Sequence, residues 1–331
     1  MMLSLTSVFA KSGIKEKIVK SPDWVYTLRM DSAQLADLLD HENLVQVEES
    51  ISSLLRFWYP EPVIVSFSGV FHHVVSLFQG KLAGYQACNT DYHNLKHTID
   101  VLVATVRLID GRNLGADPLD AALARDLVQA ALLHDVGYIQ KTEDTEGTGA
   151  KYTKTHVGRG VAYTDTYQKE LQVAPERVPI VGRLIWGTDL AVSWEKIGFA
   201  DPLEDQAASY LATGDLLGQM ADRTYLEKLL FLYYEFREAG FSDYRSEFDM
   251  LKKTMGFYQV IQNRLDSVLG SAYNLAAVHF KYRFGISENL YLSSIERQKN
   301  YLQSIIDDTS SNFRKKLKRL DLENVQPRLL A

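Results

Sequence analysis

The segment DYHNLKHTIDV, residues 91–101, sets two imidazoles, His93 and His97, four residues apart in an otherwise apolar run and follows them with Asp100. In a helix, side chains four apart meet on one face, and Asp100 lies one further turn along the same stripe from His97. Such residues either satisfy one another in a core or hold something, and the second reading needs more ligands elsewhere. The chain offers them. ALLHDVGY presents His134 and Asp135 side by side where an apolar helix ends. THVGRG brings His156 beside a turn, with Lys154 and Arg159 close by as phosphate partners, and TGDLLGQM embeds Asp215 between apolar residues. Imidazole and carboxylate together suit Zn, Mn, Fe, Co or Ni, while Mg favours the carboxylate. Other readings stay open: His156 as a surface-loop histidine, and Asp215 as the cap of a helix following Gly214. Asp222, two helical turns beyond Asp215, is a rival distal ligand; Asp215 is preferred because Leu216 and Leu217 bury it, whereas Asp222 stands next to Arg223.

Helices must position these groups. DSAQLADLLD, with Asp31 as its N-cap, opens a series of segments with apolar residues at three-and-four spacing: ESISSLLRFW, VFHHVVSLFQ, NLKHTIDVLVATVRLI and ALARDLVQAALLHDV. DPLEDQAASYLATGDLLGQM, YLEKLLFLYYEFREA, SEFDMLKKTMGFYQVIQNRL and SSIERQKNYLQSIIDD continue it. Alternating strand patterns are nearly absent, and the β-branched PVIVSF near residue 62 is too isolated to build a sheet. The expected fold class is all-α: a helical bundle with an N-terminal helical extension (1–60), a catalytic region (61–285) and a C-terminal helical segment (286–331). The polar stretch KTEDTEGTGAKYTKT, residues 141–155, reads as a surface loop, and the aromatic FLYYEF, 231–236, as core packing.

At 331 residues and 46% hydrophobic content the chain can bury a real core. A net charge of -6 argues against general affinity for a nucleic-acid backbone. The single cysteine, Cys88, excludes an internal disulfide and a thiolate zinc cluster, so a reducing compartment, the cytoplasm, is expected. MMLSLTSVFAK lacks the preceding Lys or Arg of a secretory signal, and charges or glycines interrupt the apolar runs before any reads as a membrane span.

YHNLKHTIDV, then LLHDVGY, then a helix bearing GDLL resembles the HD-domain metal-dependent phosphohydrolases over roughly residues 90–260, and the first segment is similar to the YHNxxHAxDV signature of cyclic nucleotide phosphodiesterases. The resemblance implies a metal held by His97, His134, Asp135 and Asp215. It also implies His93 as the group that protonates the leaving oxygen, Asp135 as a catalytic carboxylate bridging to a second metal, and His156 as that metal's further ligand. Asp100 would orient a ligand histidine. LIWGTDLAVSW around Thr188 and Asp189 is similar to the ATDxxxH stretch but lacks its histidine. MGFYQ is similar to the QxGF segment, with Phe257 matching the base-stacking residue, but Thr254 stands where the purine-reading glutamine belongs. VGY shares letters with the HD-GYP enzymes, whose separate downstream GYP is missing.

The expectation is therefore hydrolysis of a phosphomonoester or phosphodiester by one or two divalent ions (Mn, Mg, Zn, Ni or Fe). The partner would be a small phosphorylated substrate, a nucleotide by resemblance, with neither membrane nor nucleic acid as partner and a homodimer left open. A metal-binding sensor or interaction module, a di-iron oxygenase and a plain bundle with mutually satisfied histidines are the alternatives.

Overall fold

A computed structural model describes residues 33–308, 310, 312–320 and 322; Asp31 and the opening MMLSLTSVFAK lie outside the described residues. In chain order the helices are α1 (Leu35–Leu38), α2 (Leu44–Trp58), α3 (Glu61–Phe78), α4 (Leu95–Gly115), α5 (Ala121–Leu133) and α6 (His156–Thr166). They continue as α7 (Val178–Trp186), α8 (Pro202–Met220), α9 (Tyr225–Glu238), α10 (Glu247–Asp266), α11 (Asn274–Phe284) and α12 (Leu290–Asp307). Among the described residues there is no strand, only two isolated bridges, Gln79 with Ala87 and Tyr85 with Lys141. The fold is an all-α bundle.

The helix starts follow capping chemistry. Asn94 Oδ1 accepts from the His97 backbone N–H at 3.1 Å, Asp120 accepts from Ala122 and Leu123, and Asp201 accepts from Leu203 and Glu204 ahead of Pro202 at the first turn of α8. The β-branched PVIVSF is not an isolated strand candidate but the first turns of α3. Pro60 and Pro62 fit a helix start, and Val63, Ile64, Phe67, Val70, Phe71, Val74 and Leu77 fall on one buried stripe. Tertiary burial overrides local propensity here. By length and hydropathy α3 could cross a membrane, yet half of it is buried against the bundle, where it packs on α2 and α5.

α4 is the axis, buried continuously from His97 to Gly111 and flanked by α8 and α11. Its contact with α8 runs over two glycines one turn apart. A Cβ at Gly218 would lie 2.9–3.0 Å from the Asp100 and Val101 backbone, and one at Gly214 would lie 2.3 Å from Thr105 Oγ1. The bare backbone lets the helices touch and carries Asp215, between the two glycines, up to the first turn of α4. Two hydrophobic clusters result. The larger joins α2–α5, α7 and α11, with Val47, Ile51 and Leu55 of α2 inside it; the smaller lies among α9, α10 and α12. α8 feeds both, Leu211 and Leu217 into the first, Leu216 and Met220 into the second.

Candidate metal centre

His97 sits in the first turn of α4, its backbone fixed by the Asn94 cap. His134 is the residue on which α5 ends, and its Nδ1 donates to the Ala131 carbonyl at 2.9 Å, so Nε2 faces inward with a lone pair. Asp135 follows with non-helical backbone and begins a 3₁₀ turn, Val136–Tyr138. Asp215 lies inside α8 and is not a helix cap. His97 Nε2 is 3.3 Å from Asp135 Oδ2, 3.3 Å from Asp215 Oδ1 and 3.4 Å from His134 Nε2; His134 Nε2 is 3.3 Å from Asp135 Oδ2.

These distances fit a cation. Two imidazole nitrogens facing each other need a proton or a cation between them. Edges near 3.3 Å are what ligands roughly 2.1 Å from one shared ion impose. Asp135 Oδ2, buried among them, makes no hydrogen bond of normal geometry, which is rare for a buried carboxylate oxygen. The His97–His134–Asp135 group is one that could bind a metal ion. Without one, protons take its place. Burial opposes charge on His97, but the Asp135 and Asp215 carboxylates overcome it and push the ring up to about 10. His134 is raised against burial by Asp135, and burial of Asp135 is outweighed by His134 and His97, which hold it well below the usual carboxylate range.

His156 opens α6, and its Nδ1 donates to the Thr153 carbonyl at 2.7 Å. Its Nε2 lies 3.6 Å from Asp135 Oδ1, the oxygen that does not face His97. Asp135 thus presents one oxygen to each of two histidine sets. Burial lowers the proton affinity of His156 and keeps it a neutral donor of lone pairs. Gly137 makes the approach possible, because a Cβ there would fall 1.9 Å from the His156 carbonyl oxygen.

His93 is not where helical spacing puts it. α4 begins at Leu95 with Asn94 as its cap, so His93 precedes the helix and the i, i+4 argument does not hold it beside His97. Instead Nδ1 donates to Glu235 Oε2 of α9 at 2.6 Å, while the ring stacks on Tyr138 with centroids 4.3 Å apart. Tyr138 also stacks on His156 at 4.5 Å, and the two imidazoles lie 6.2 Å apart. The His93 and His97 rings still end 5.9 Å apart. Solvent reaches the site from this side: the side chains of His93, Asp215 and His156 are 15%, 15% and 19% exposed, those of His97, His134 and Asp135 at most 5%.

Other expected residues are placed elsewhere. Asp100 orients no ligand histidine. It sits on the next face of α4 in a buried ion cluster, 2.7 Å from His41 Nδ1 and 2.9 Å from Lys96 Nζ. Asp222 belongs to the same cluster, paired to Lys96 at 3.0 Å and Lys228 at 2.5 Å, which leaves Asp215 alone beside His97. Arg159 is committed to the Gly137 and Ile139 carbonyls at 2.7 and 3.0 Å and stacks on Tyr152; Lys154 lies over the Phe241 ring. Phe257 packs against the smaller hydrophobic cluster, and Asp189 bonds the Ala191 backbone. The stretch 141–155 is no free loop: Thr148 bonds Glu238, and Gly149 N–H donates to Asn89 at 2.8 Å.

Sequence reasoning missed three supports. Glu235 also accepts the Tyr92 backbone N–H at 2.7 Å, and Tyr92 Oη donates to Gln219 Oε1 at 2.7 Å, whose amide lies 3.3 Å from Asp215 Oδ1. The only signal in the sequence was an acid embedded in the aromatic run FLYYEF.

A family model described as Npun_R2479-like matches residues 71–270. The chain belongs to the Npun_R2479-like family. The matched region holds every residue of the centre and Glu235, and leaves α2, α11 and α12 outside. No curated protein and no solved structure matches the chain.

Proposed function

We propose that this member of the Npun_R2479-like family is a metal-dependent phosphohydrolase acting on a small phosphomonoester or phosphodiester, with a nucleotide as the class the HD-domain resemblance implies. One observation carries the reading: three ligand atoms, from His97, His134 and Asp135, converge at 3.3–3.4 Å, with Asp215 3.3 Å from His97, beside a partly exposed histidine that is tethered through its far nitrogen to a carboxylate. His97, His134, Asp135 and Asp215 would hold the first ion, and His156 with the second oxygen of Asp135 would hold another. A divalent ion so held supplies Lewis acidity toward a phosphoryl oxygen and water of lowered pKa.

The chain's own residues handle the proton. Glu235 takes the Nδ1 hydrogen of His93, leaving Nε2 as the edge that gives a proton to a departing oxygen, and its carboxylate stabilises the imidazolium beforehand. Tyr138, on which both that ring and His156 stack, keeps its plane fixed. The hydrogen-bonded Gln219 holds the Asp215 carboxylate toward His97.

Elemental analysis of the purified protein, with p-nitrophenyl phosphate and bis-p-nitrophenyl phosphate turnover measured after adding Mn, Mg, Ni or Fe, tests the reading. Stoichiometric metal with turnover is expected. His97→Ala loses both, whereas His93→Ala keeps the metal and slows turnover by about 10²-fold or more. Metal with no turnover on either ester refutes the hydrolase, and loss of metal from His93→Ala refutes the division of roles.

A further inference from the structure

Ten residues along α4 from His97, at its junction with α2 and α11, lies a second group of charges that the metal centre does not use. Asp110 is saturated: it accepts from Arg283 Nε at 2.9 Å and Nη2 at 2.5 Å, His279 Nδ1 at 2.7 Å and Trp58 Nε1 at 2.8 Å. Its one negative charge is matched by Arg283. Arg107, 4% exposed, is left over. Its Nη1 donates to the Tyr291 hydroxyl at 3.0 Å and its guanidinium lies over the Phe280 and Tyr291 rings, but it pairs with no carboxylate among the described residues. His279 Nε2, buried, has no hydrogen-bond partner among the described residues.

Arg107, Arg283 and His279 line a cavity of about 30 Å³ together with Ile51, Leu54 and Val103. A buried cation without a counter-charge costs several kcal/mol, and aromatic faces offset only part of that. Water fills hydrogen bonds but brings no charge. The space exceeds the roughly 10–15 Å³ that one water needs, yet its apolar wall and narrowness exclude a phosphate or carboxylate.

The geometry points to a binding site for a single monovalent halide ion, held by Arg107 and Arg283 between α2, α4 and α11. The ion completes the charge of the buried cluster and fastens α2 to the axis helix.

Two measurements on the full chain test this. Crystals grown in sodium bromide are expected to show an anomalous peak beside Arg107. The melting temperature is expected to be about 2 °C or more higher in sodium chloride than in sodium gluconate of equal ionic strength, as binding to the folded state alone requires. Arg107→Met removes the difference; Val103→Leu, which fills the cavity and keeps the charge, removes it too and guards against a misfolded first variant. A bromide-free cavity, an acidic side chain of residues 1–32 seated on Arg107, equal melting in both salts, or a difference that survives both variants overturns the site.

Discussion

Gly137→Ala examines the least forgiving contact in the centre. The new Cβ would fall 1.9 Å from the His156 carbonyl oxygen and 2.9 Å from the Gly160 nitrogen, both backbone atoms, where ordinary contact begins at 3.4 Å. The start of α6 must therefore retreat by about 1.5 Å, since neither backbone nor a close-packed interior can absorb the clash locally. Overpacking of that size stands at the upper end of the usual range, about 3 kcal/mol, or about 6 °C in melting temperature for a chain of this length. The same movement opens the 3.6 Å gap between His156 and Asp135 and leaves His97, His134 and Asp215 where they are. Metal bound in excess Mn then drops by one ion per chain. Gly256→Ala is the control: nothing lies within 4 Å of a Cβ there, in the interior of α10. It should gain about 0.5–1 kcal/mol, or about 1–2 °C, from helix propensity. Differential scanning calorimetry and elemental analysis of both variants decide the matter. A Gly137→Ala protein that melts like wild type with its metal content unchanged would refute the close approach and the bridging role of Asp135 derived from it.

Glu235→Gln should keep full metal content and lower turnover about 30- to 150-fold, the equivalent of one charge-assisted hydrogen bond of about 2–3 kcal/mol; a variant with wild-type rates would remove Glu235 from the proton path. Stability should decline as pH falls. Burial, foremost, lowers the proton affinity of His279, so its contribution is complete above its ordinary value of 6.5 and is lost as pH drops below it. Asp110 is held well below the carboxylate range by His279 and Arg283 against the cost of burial, so its contribution is present above about pH 4 and fails only in stronger acid. Melting curves in halide-free buffer should show His279→Gln losing less stability than wild type between pH 7 and 5; parallel curves would contradict this.

The candidate ligands were legible because each stands out locally. His134 and Asp135 interrupt an apolar helix, and Asp215 is an acid flanked by leucines on a helix whose glycines must meet another backbone. Their convergence needs only that three helices pack. The supports were not legible, because each depends on a partner far along the chain. Glu235 acts on a residue 142 positions away, and within FLYYEF its burial is indistinguishable from that of its aromatic neighbours. His93 misled for the opposite reason: spacing of four suggested a shared helix face, while Asn94, a strong cap, placed the helix boundary between the two histidines. Asp100, on the next face of α4, met Lys96 and Lys228, charges whose direction no periodicity encodes. The β-branched start of α3 was ambiguous until its buried stripe had something to pack on.

The division of the bundle into two hydrophobic clusters has a consequence for how the protein fails. The candidate ligands His97, His134 and Asp135 are anchored beside the larger cluster, whereas Glu235 rides on α9, beside the smaller one, and α8 and α12 are the long beams that run through both. Warming that loosens α9 and α10 first would unhook the proton donor while the ion stays seated. Under the proposed function, such a protein would age into a loaded but silent form, with its metal a poor witness to its working state.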